Sequence, residues 1–262
     1  MKKLVKISRY LRARYAPATA RPFFWHIGRP NFGDDINPMF FQALVNQRIR
    51  FEHDRQRPHF LGMGSILDRA TASSTVLGSG YIEPPSQVVQ RPRKVIAVRG
   101  ELTRAFLQND DEILLGDPMV LLGGIIPVDK NRDELIGFIP HVSALRQVKR
   151  MAIPNVKIID PSWPPMRVIS EIASCTRVFS QSLHGLIVAD TLRIPNIWIA
   201  PSVAMKGGDF KFRDYFSTLD AIKVPWEFTL ESFAAAKRSD FYAAQYRFDA
   251  SIYREAVREA LA

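Results

Sequence analysis

"FSQSLHGLIVADTLRIPNIWI", residues Phe179–Ile199, joins two apolar runs through a polar insert. The first run has the apolar, β-rich character of a buried strand. The segment from His184 to Leu192 then reads as a buried helix, and "PNIWIA" as a second strand. Strand, helix and strand in succession form the repeating unit of a parallel sheet covered by helices. In such sheets ligands are held at the carboxyl ends of strands. The insert "SQSLHG" puts Ser180, Ser182 and His184 at that kind of turn.

The same alternation extends outward. Strands are expected in "PFFWHIG", "PHFLGMGS", "STVLGSG", "KVIAVRG" and "ILLGDP", and again in "LIGFIPH", "VKIID" and "TRVFSQS". Helices are expected over Ile36–Gln47, Glu101–Gln108, Met166–Cys175 and a long stretch near Leu230–Leu261. That last stretch either caps the body or crosses back to the first domain. Polar "PVDKNRDE" (Pro127–Glu134) reads as a linker between domains 1–128 and 134–262. The halves then hold about five and four strands, as two Rossmann-like units facing each other would.

Composition narrows the function classes. Apolar residues make up 47% and charged residues 24%, as in an ordinary globular chain. A single cysteine, Cys175, excludes an intrachain disulfide and a cysteine-rich metal cluster. No H-E-x-x-H, C-x-x-C or D-x-D pattern occurs, so no metal is expected. The longest apolar run, Met119–Val128, is about half of the roughly 20 residues a spanning helix needs. The formal charge is +10, and eight lysines and arginines precede the first acid, Asp34. That balance suits an anionic small substrate, an anionic membrane surface or nucleic acid, or simply keeps the chain soluble. The basic, aromatic-spotted start leans toward a membrane face. Elsewhere many basic residues sit singly at turns, and no nucleic-acid-binding pattern stands out.

Several strands end in polar turns. "NFGDDINP" offers Asn31, Gly33, Asp34 and Asp35; one aspartate suffices to cap the following helix, leaving the other as a base or a ligand for a substrate hydroxyl. "GMGS" and "GSG" let a backbone approach a ligand closely but do not complete a dinucleotide fingerprint. In "VIAVRGELTRAFL", Arg99 and Arg104 flank a helix N-terminus and form either an anion clamp or a structural pair with an acid such as Glu101. Asp117 in "LGDP" is either a turn cap or a site residue. His141 and His184 end strands of the second domain and can share one crevice; His26 can line it, while His53 and His59 read as solvated.

Taken in order, "NFGDD", "GMGS", "LGSG", "AVRGELTRAFL", "LGDP", "GFIPH", "SQSLHG" and "KFRDYF" resemble the polysaccharide pyruvyl transferase family, over Asn31 to Phe216. The short length and "SQSLHG" look closest to its bacterial exopolysaccharide subgroup. The resemblance implies two Rossmann-like domains in a glycosyltransferase-B-like arrangement, acceptor on the first and donor on the second. It implies phosphoenolpyruvate as donor, a sugar as acceptor, a pyruvate ketal as product, and no cofactor. His184 becomes the acid or a phosphate ligand, and Asp34 or Asp35 the acceptor-side base. Substrate contacts are expected from Arg99, Arg104, His141, Ser180, Ser182, Lys211, Asn31, Gly33 and Asp117. Many relatives carry an arginine where this chain has Ser182, which leaves Arg99, Arg104, Arg177 or Lys211 to supply the charge. A cytoplasmic enzyme is expected, at the inner membrane face if its acceptor is lipid-linked. The rival is a sugar-nucleotide-dependent glycosyltransferase on the same scaffold.

Overall fold

The computed structural model describes residues 7–11, 13, 17, 19–86, 90–107, 112–128, 133–202 and 205–262. It is an α/β protein with two parallel sheets. The first holds β1 (Arg21–Phe24), β2 (Ile49–Phe51), β3 (His59–Leu61), β4 (Ser74–Leu77), β5 (Lys94–Val98) and β6 (Leu114–Leu115), in the order 2-1-3-4-5-6. The second holds β7 (Asp133–Ile139), β8 (Val156–Ile158), β9 (Cys175–Ser180) and β10 (Asn196–Trp198), in the order 8-7-9-10. Every pairing between these strands is parallel.

Each order reverses once, between β1 and β3 and between β7 and β9. A ligand crevice opens at such a reversal because the chain leaves the two strands in opposite directions. Helices close the faces. The main ones are α1 (Phe32–Asp35), α2 (Asn37–Val45), α3 (Glu101–Arg104), α4 (Leu145–Met151), α5 (Pro165–Ala173), α6 (Leu183–Thr191), α7 (Phe210–Phe216), α8 (Leu230–Ala235) and α9 (Ala250–Leu261). Helix α6 is buried along Leu183–Asp190, as its nearly unbroken apolar sequence requires. One apolar cluster runs through Phe23, Leu77 and Ala97 of the first sheet and Val178, Leu186 and Trp198 of the second half.

Nine of the ten strands fall where the alternation places them. The tenth, β2, is a three-residue edge strand whose "IRF" is too short to stand out. The apolar run after Asp117 is a buried 3-10 turn, Pro118–Gly124, packed against α6. Helices α4 and α7 were not anticipated. The expected linker lies partly outside the described residues, and Asp133 already belongs to β7. The C-terminal stretch is not one helix: α8 ends at Ala235, bridges pair Tyr242 with Asn196 and Tyr246 with Leu219, and Asp249 caps a new start. Helix α9 does cross back, packing on β5 and α2, and Tyr253 donates its hydroxyl to the Leu77 carbonyl (2.7 Å).

His59 corrects an expectation. It is buried on β3, its Nδ1–H donating to the Arg57 carbonyl (2.8 Å) and its Nε2 accepting from Ser74 Oγ (2.9 Å). Burial pushes its pKa down, in keeping with that neutral ring. No helix among the described residues is long and apolar enough to cross a membrane.

Candidate active site

The two reversal points face one cavity of about 600 Å³. From the first sheet come Trp25, His26 and Ile27 after β1, Asn31 and Asp34 of the following turn, and Ser65 after β3. The second sheet gives His141 after β7 and Ser182, Leu183 and His184 after β9. Lys211 enters from α7, and Lys206, Arg55 and Arg69 add positive charge at the walls.

"NFGDD" folds as the polar turn it resembles, with one change of role. Asn31, not an aspartate, caps α1: its Oδ1 accepts from Gly33 N (3.4 Å) and its Nδ2 donates to Asp34 Oδ2 (3.1 Å). The two aspartates then diverge. Asp35 accepts from Asn31 N (3.2 Å) and pairs with Arg9, outside the cavity lining. Asp34 faces the cavity. Burial raises its carboxyl above the ordinary carboxylate range, against the pull of His26, His184, Lys211 and the Asn31 hydrogen bond.

Gly33 is required at its position. A Cβ there would stand 2.0 Å from His184 Nδ1, so only glycine lets α1 lie against the histidine. Phe32 N donates to Pro161 O (2.9 Å), fastening α1 to the loop after β8. The junction between the two sheets therefore sits beneath the imidazole.

His184 is the second residue of α6, and Ser182 is the cap of that helix, accepting from Gly185 N (3.4 Å). Ser180 is fully buried behind the turn, where its hydroxyl donates to Ser182 O (2.8 Å) and accepts from Ser182 N (3.1 Å). Gln181, also buried, ties the strand ends together by accepting from His141 N (3.2 Å) and donating to Ala200 O (2.8 Å). The polar insert thus divides its labour. Ser180 and Gln181 hold the turn, and Ser182 and His184 reach the cavity.

Two basic side chains of the cavity have depressed pKa values. Lys211 has its pKa lowered to about 8, by burial first and then by repulsion from Arg99, with Asp34 opposing. His141 is lowered to about 4 by burial and by Lys211, so its ring is neutral at pH 7. Its Nδ1 lies 2.7 Å from Ser143 Oγ.

Besides Asp35, Gly33 and Ser180, three expected site residues lie outside the cavity lining. Arg99 is wholly buried behind the wall: Nε donates to Asp214 Oδ2 (2.8 Å), one terminal nitrogen to Ser65 Oγ (2.7 Å) and the other to the Tyr81 carbonyl. It has a structural pair, as one reading allowed, but the acid is Asp214 of α7 and not Glu101. Glu101 instead pairs with Arg104 (2.6 Å) on an exposed surface away from the cavity, so Arg104 is no part of an anion clamp with His184. Asp117 caps the 3-10 turn by accepting from Met119 N (3.0 Å), and it stands behind His184 rather than in the cavity. Arg177 lies against the Phe241 ring, not in the lining. Sequence reasoning missed Arg55, which "EHDRQRPH" hides among solvated charges, and the pairing of "VRGELTR" with "KFRDYF" through Asp214. A buried arginine signals that an acid must exist, but not where.

Comparison with known proteins adds a family to this geometry. The pattern of the polysaccharide pyruvyl transferase family matches residues 86–203, from before β5 to beyond β10. An uncharacterized protein, L143, of Acanthamoeba polyphaga mimivirus is 30% identical over 203 residues, covering 71% of this chain and 70% of that protein. The succinoglycan biosynthesis protein ExoV of Rhizobium meliloti (strain 1021) is 28% identical over 211 residues, covering 76% of this chain and 65% of ExoV. A functionally uncharacterized protein of Klebsiella pneumoniae is a remote structural neighbour, with a TM-score of 0.46 at 12% identity over 82% of this chain and 93% of its own. The fold is α/β, and the family match makes the protein a transferase. The chain belongs to the polysaccharide pyruvyl transferase family.

Proposed function

We propose that the protein transfers pyruvate from phosphoenolpyruvate to a sugar of a bacterial exopolysaccharide, or of its lipid-linked repeat unit, and forms a pyruvate ketal. The observation that carries this reading is the meeting of His184, Asp34 and Lys211 in one cavity between two strand-order reversals. The part of the Rhizobium relative in succinoglycan biosynthesis supports an exopolysaccharide acceptor. In this reading the two sheets belong to two Rossmann-like lobes in a glycosyltransferase-B-like arrangement. The first lobe serves the acceptor and the second the donor.

Phosphoenolpyruvate is an enol phosphate ester that also carries a carboxylate. Protonating its methylene carbon uses the C=C electron pair to form a C–H bond and leaves an oxocarbenium-like centre. His184, at the cavity end of its helix, supplies that proton as the general acid. Lys211 holds the anionic donor with the neutral His141 beside it, replacing the charge that Ser182 lacks. A sugar hydroxyl attacks the centre and loses its proton to Asp34, whose raised pKa suits a base. The carbon–oxygen bond to phosphate then breaks, phosphate leaves with the proton held by Asp34, and a second hydroxyl closes the ring, returning its proton to the deprotonated His184. Trp25, Phe24 and Tyr10 on the first-sheet wall offer apolar faces to the acceptor.

A lipid-linked acceptor fits work at the cytoplasmic membrane face. The basic start gives that face its partner, though residues 1–6 lie outside the described residues. The test is incubation with phosphoenolpyruvate and candidate repeat units. Phosphate release with the mass gain of a pyruvate ketal on the glycan is expected. Release of UDP or GDP from a nucleotide sugar, with phosphoenolpyruvate untouched, makes it a glycosyltransferase.

A further inference from the structure

Two buried polar atoms point at each other across the junction. His184 Nε2 and Asp117 Oδ2 are 3.7 Å apart, and each lacks any hydrogen-bond partner among the described residues. Asp117 is 1% exposed and its other oxygen is fixed by Met119 N, so the carboxylate cannot turn to find another donor. Leaving a buried carboxylate oxygen unpaired is costly. A fold tolerates that where the pair has work to do. The distance exceeds hydrogen-bond length, as catalytic contacts in empty sites often do, and a small rotation of the imidazole closes it.

We infer that Asp117 is a positioning residue for His184, accepting from Nε2–H and so holding the ring's second nitrogen, Nδ1, for the cavity. Nδ1 lies over Gly33, on the side of the turn that carries Asp34. A nucleophile or base oriented by a third group follows the same logic in many unrelated sites. The inference rests on His184 acting in the transfer proposed above, in which the proton given to the methylene carbon leaves Nδ1 while Nε2–H stays on Asp117.

Asp117→Asn is the suitable variant, because its Oδ1 still caps Met119 while its amide now donates toward Nε2. Kinetics with phosphoenolpyruvate and acceptor, set beside nitrogen NMR of the His184 ring, form the experiment. We expect kcat to fall by about 10²–10⁴-fold, the worth of the acid–base step the ring performs, with the donor KM nearly unchanged. In the His184→Ala background the same change should cost nothing further. Once the ring has given up the Nδ1 proton and is neutral, its remaining proton should sit on Nε2 in the wild type and on Nδ1 in Asp117→Asn. A neutral wild-type ring that keeps its proton on Nδ1, or a full additive loss in the double variant, overturns the inference. The wild-type spectrum needs neither a folded variant nor an active enzyme. An inactive wild type with an Nε2–H ring therefore counts against the proposed reaction and leaves the pair standing.

Discussion

The molecule buries charge in two quite different ways. Around Asp190 and Asp214 every polar atom that matters is matched. Asp190 accepts from Asn196 (2.7 Å), Lys223 (3.1 Å), Ala244 N (3.0 Å) and Tyr215 (3.0 Å). Asp214 accepts from Arg99 (2.8 Å) and from Thr103 N (2.8 Å) and Oγ1 (2.6 Å). In the cavity, Lys211 has no ion-pair partner among the described residues, and at its back His184 and the buried Asp117 face each other unbonded. Saturated networks fix a structure; unsaturated ones keep their interactions for something that arrives. That difference sorts the basic residues of this chain better than their positions in motifs do.

The largest expected effect lies in the unsaturated cluster. His184→Ala should lower kcat by about 10²–10⁴-fold, with an unfolding midpoint close to wild type. Near-normal turnover would remove His184 from the chemistry.

Arg99→Ala tests the saturated side. It leaves Asp214 buried without its cation and should cost about 3–5 kcal/mol of stability, seen as a lower denaturation midpoint. Whatever folds should keep its donor KM. A stable variant with weakened donor binding would move Arg99 into the site.

Lys211→Met separates function from stability by sign. Because the pKa of Lys211 is depressed from 10.5 to about 8, its charged form is disfavoured in the folded protein below pH 8. Removing that charge should stabilise the fold at pH 7 by about 1–3 kcal/mol. It should also raise the donor KM by an order of magnitude or more, as expected for a lost charge-assisted contact. In the wild type, kcat/KM for the donor should fall as pH rises through about 8, and that limb should vanish in the variant.

Arg104→Ala gives the smallest change. Its pair with Glu101 is solvent-exposed, so stability should move by no more than about 0.5 kcal/mol and the donor KM not at all.

The sequence shows most of this fold and part of the site, for reasons that differ. Strand alternation depends on short-range apolar patterning, which is why β1 and β3 to β10 are recognisable and the three-residue β2 is not. Turn chemistry is local too, so Asn31, Asp34, His141, Ser182 and His184 could be picked from "NFGDD", "GFIPH" and "SQSLHG", and all five line the cavity. Side-chain pairing over long separations is not local. Nothing near Arg99 in the chain says that its acid waits at position 214, and nothing near Asp117 says that an imidazole stands over it. Capping misled in a similar way. The pair of aspartates suggested a cap, but the side chain one turn earlier, Asn31, already fills that role.

Calorimetric titration with phosphoenolpyruvate, run on the wild type, Lys211→Met and Arg104→Ala, tests the division most directly. The account predicts that Arg104→Ala binds the donor as the wild type does, while Lys211→Met binds it at least tenfold more weakly despite a more stable fold. Undiminished binding by Lys211→Met, with binding lost in Arg104→Ala, would contradict it.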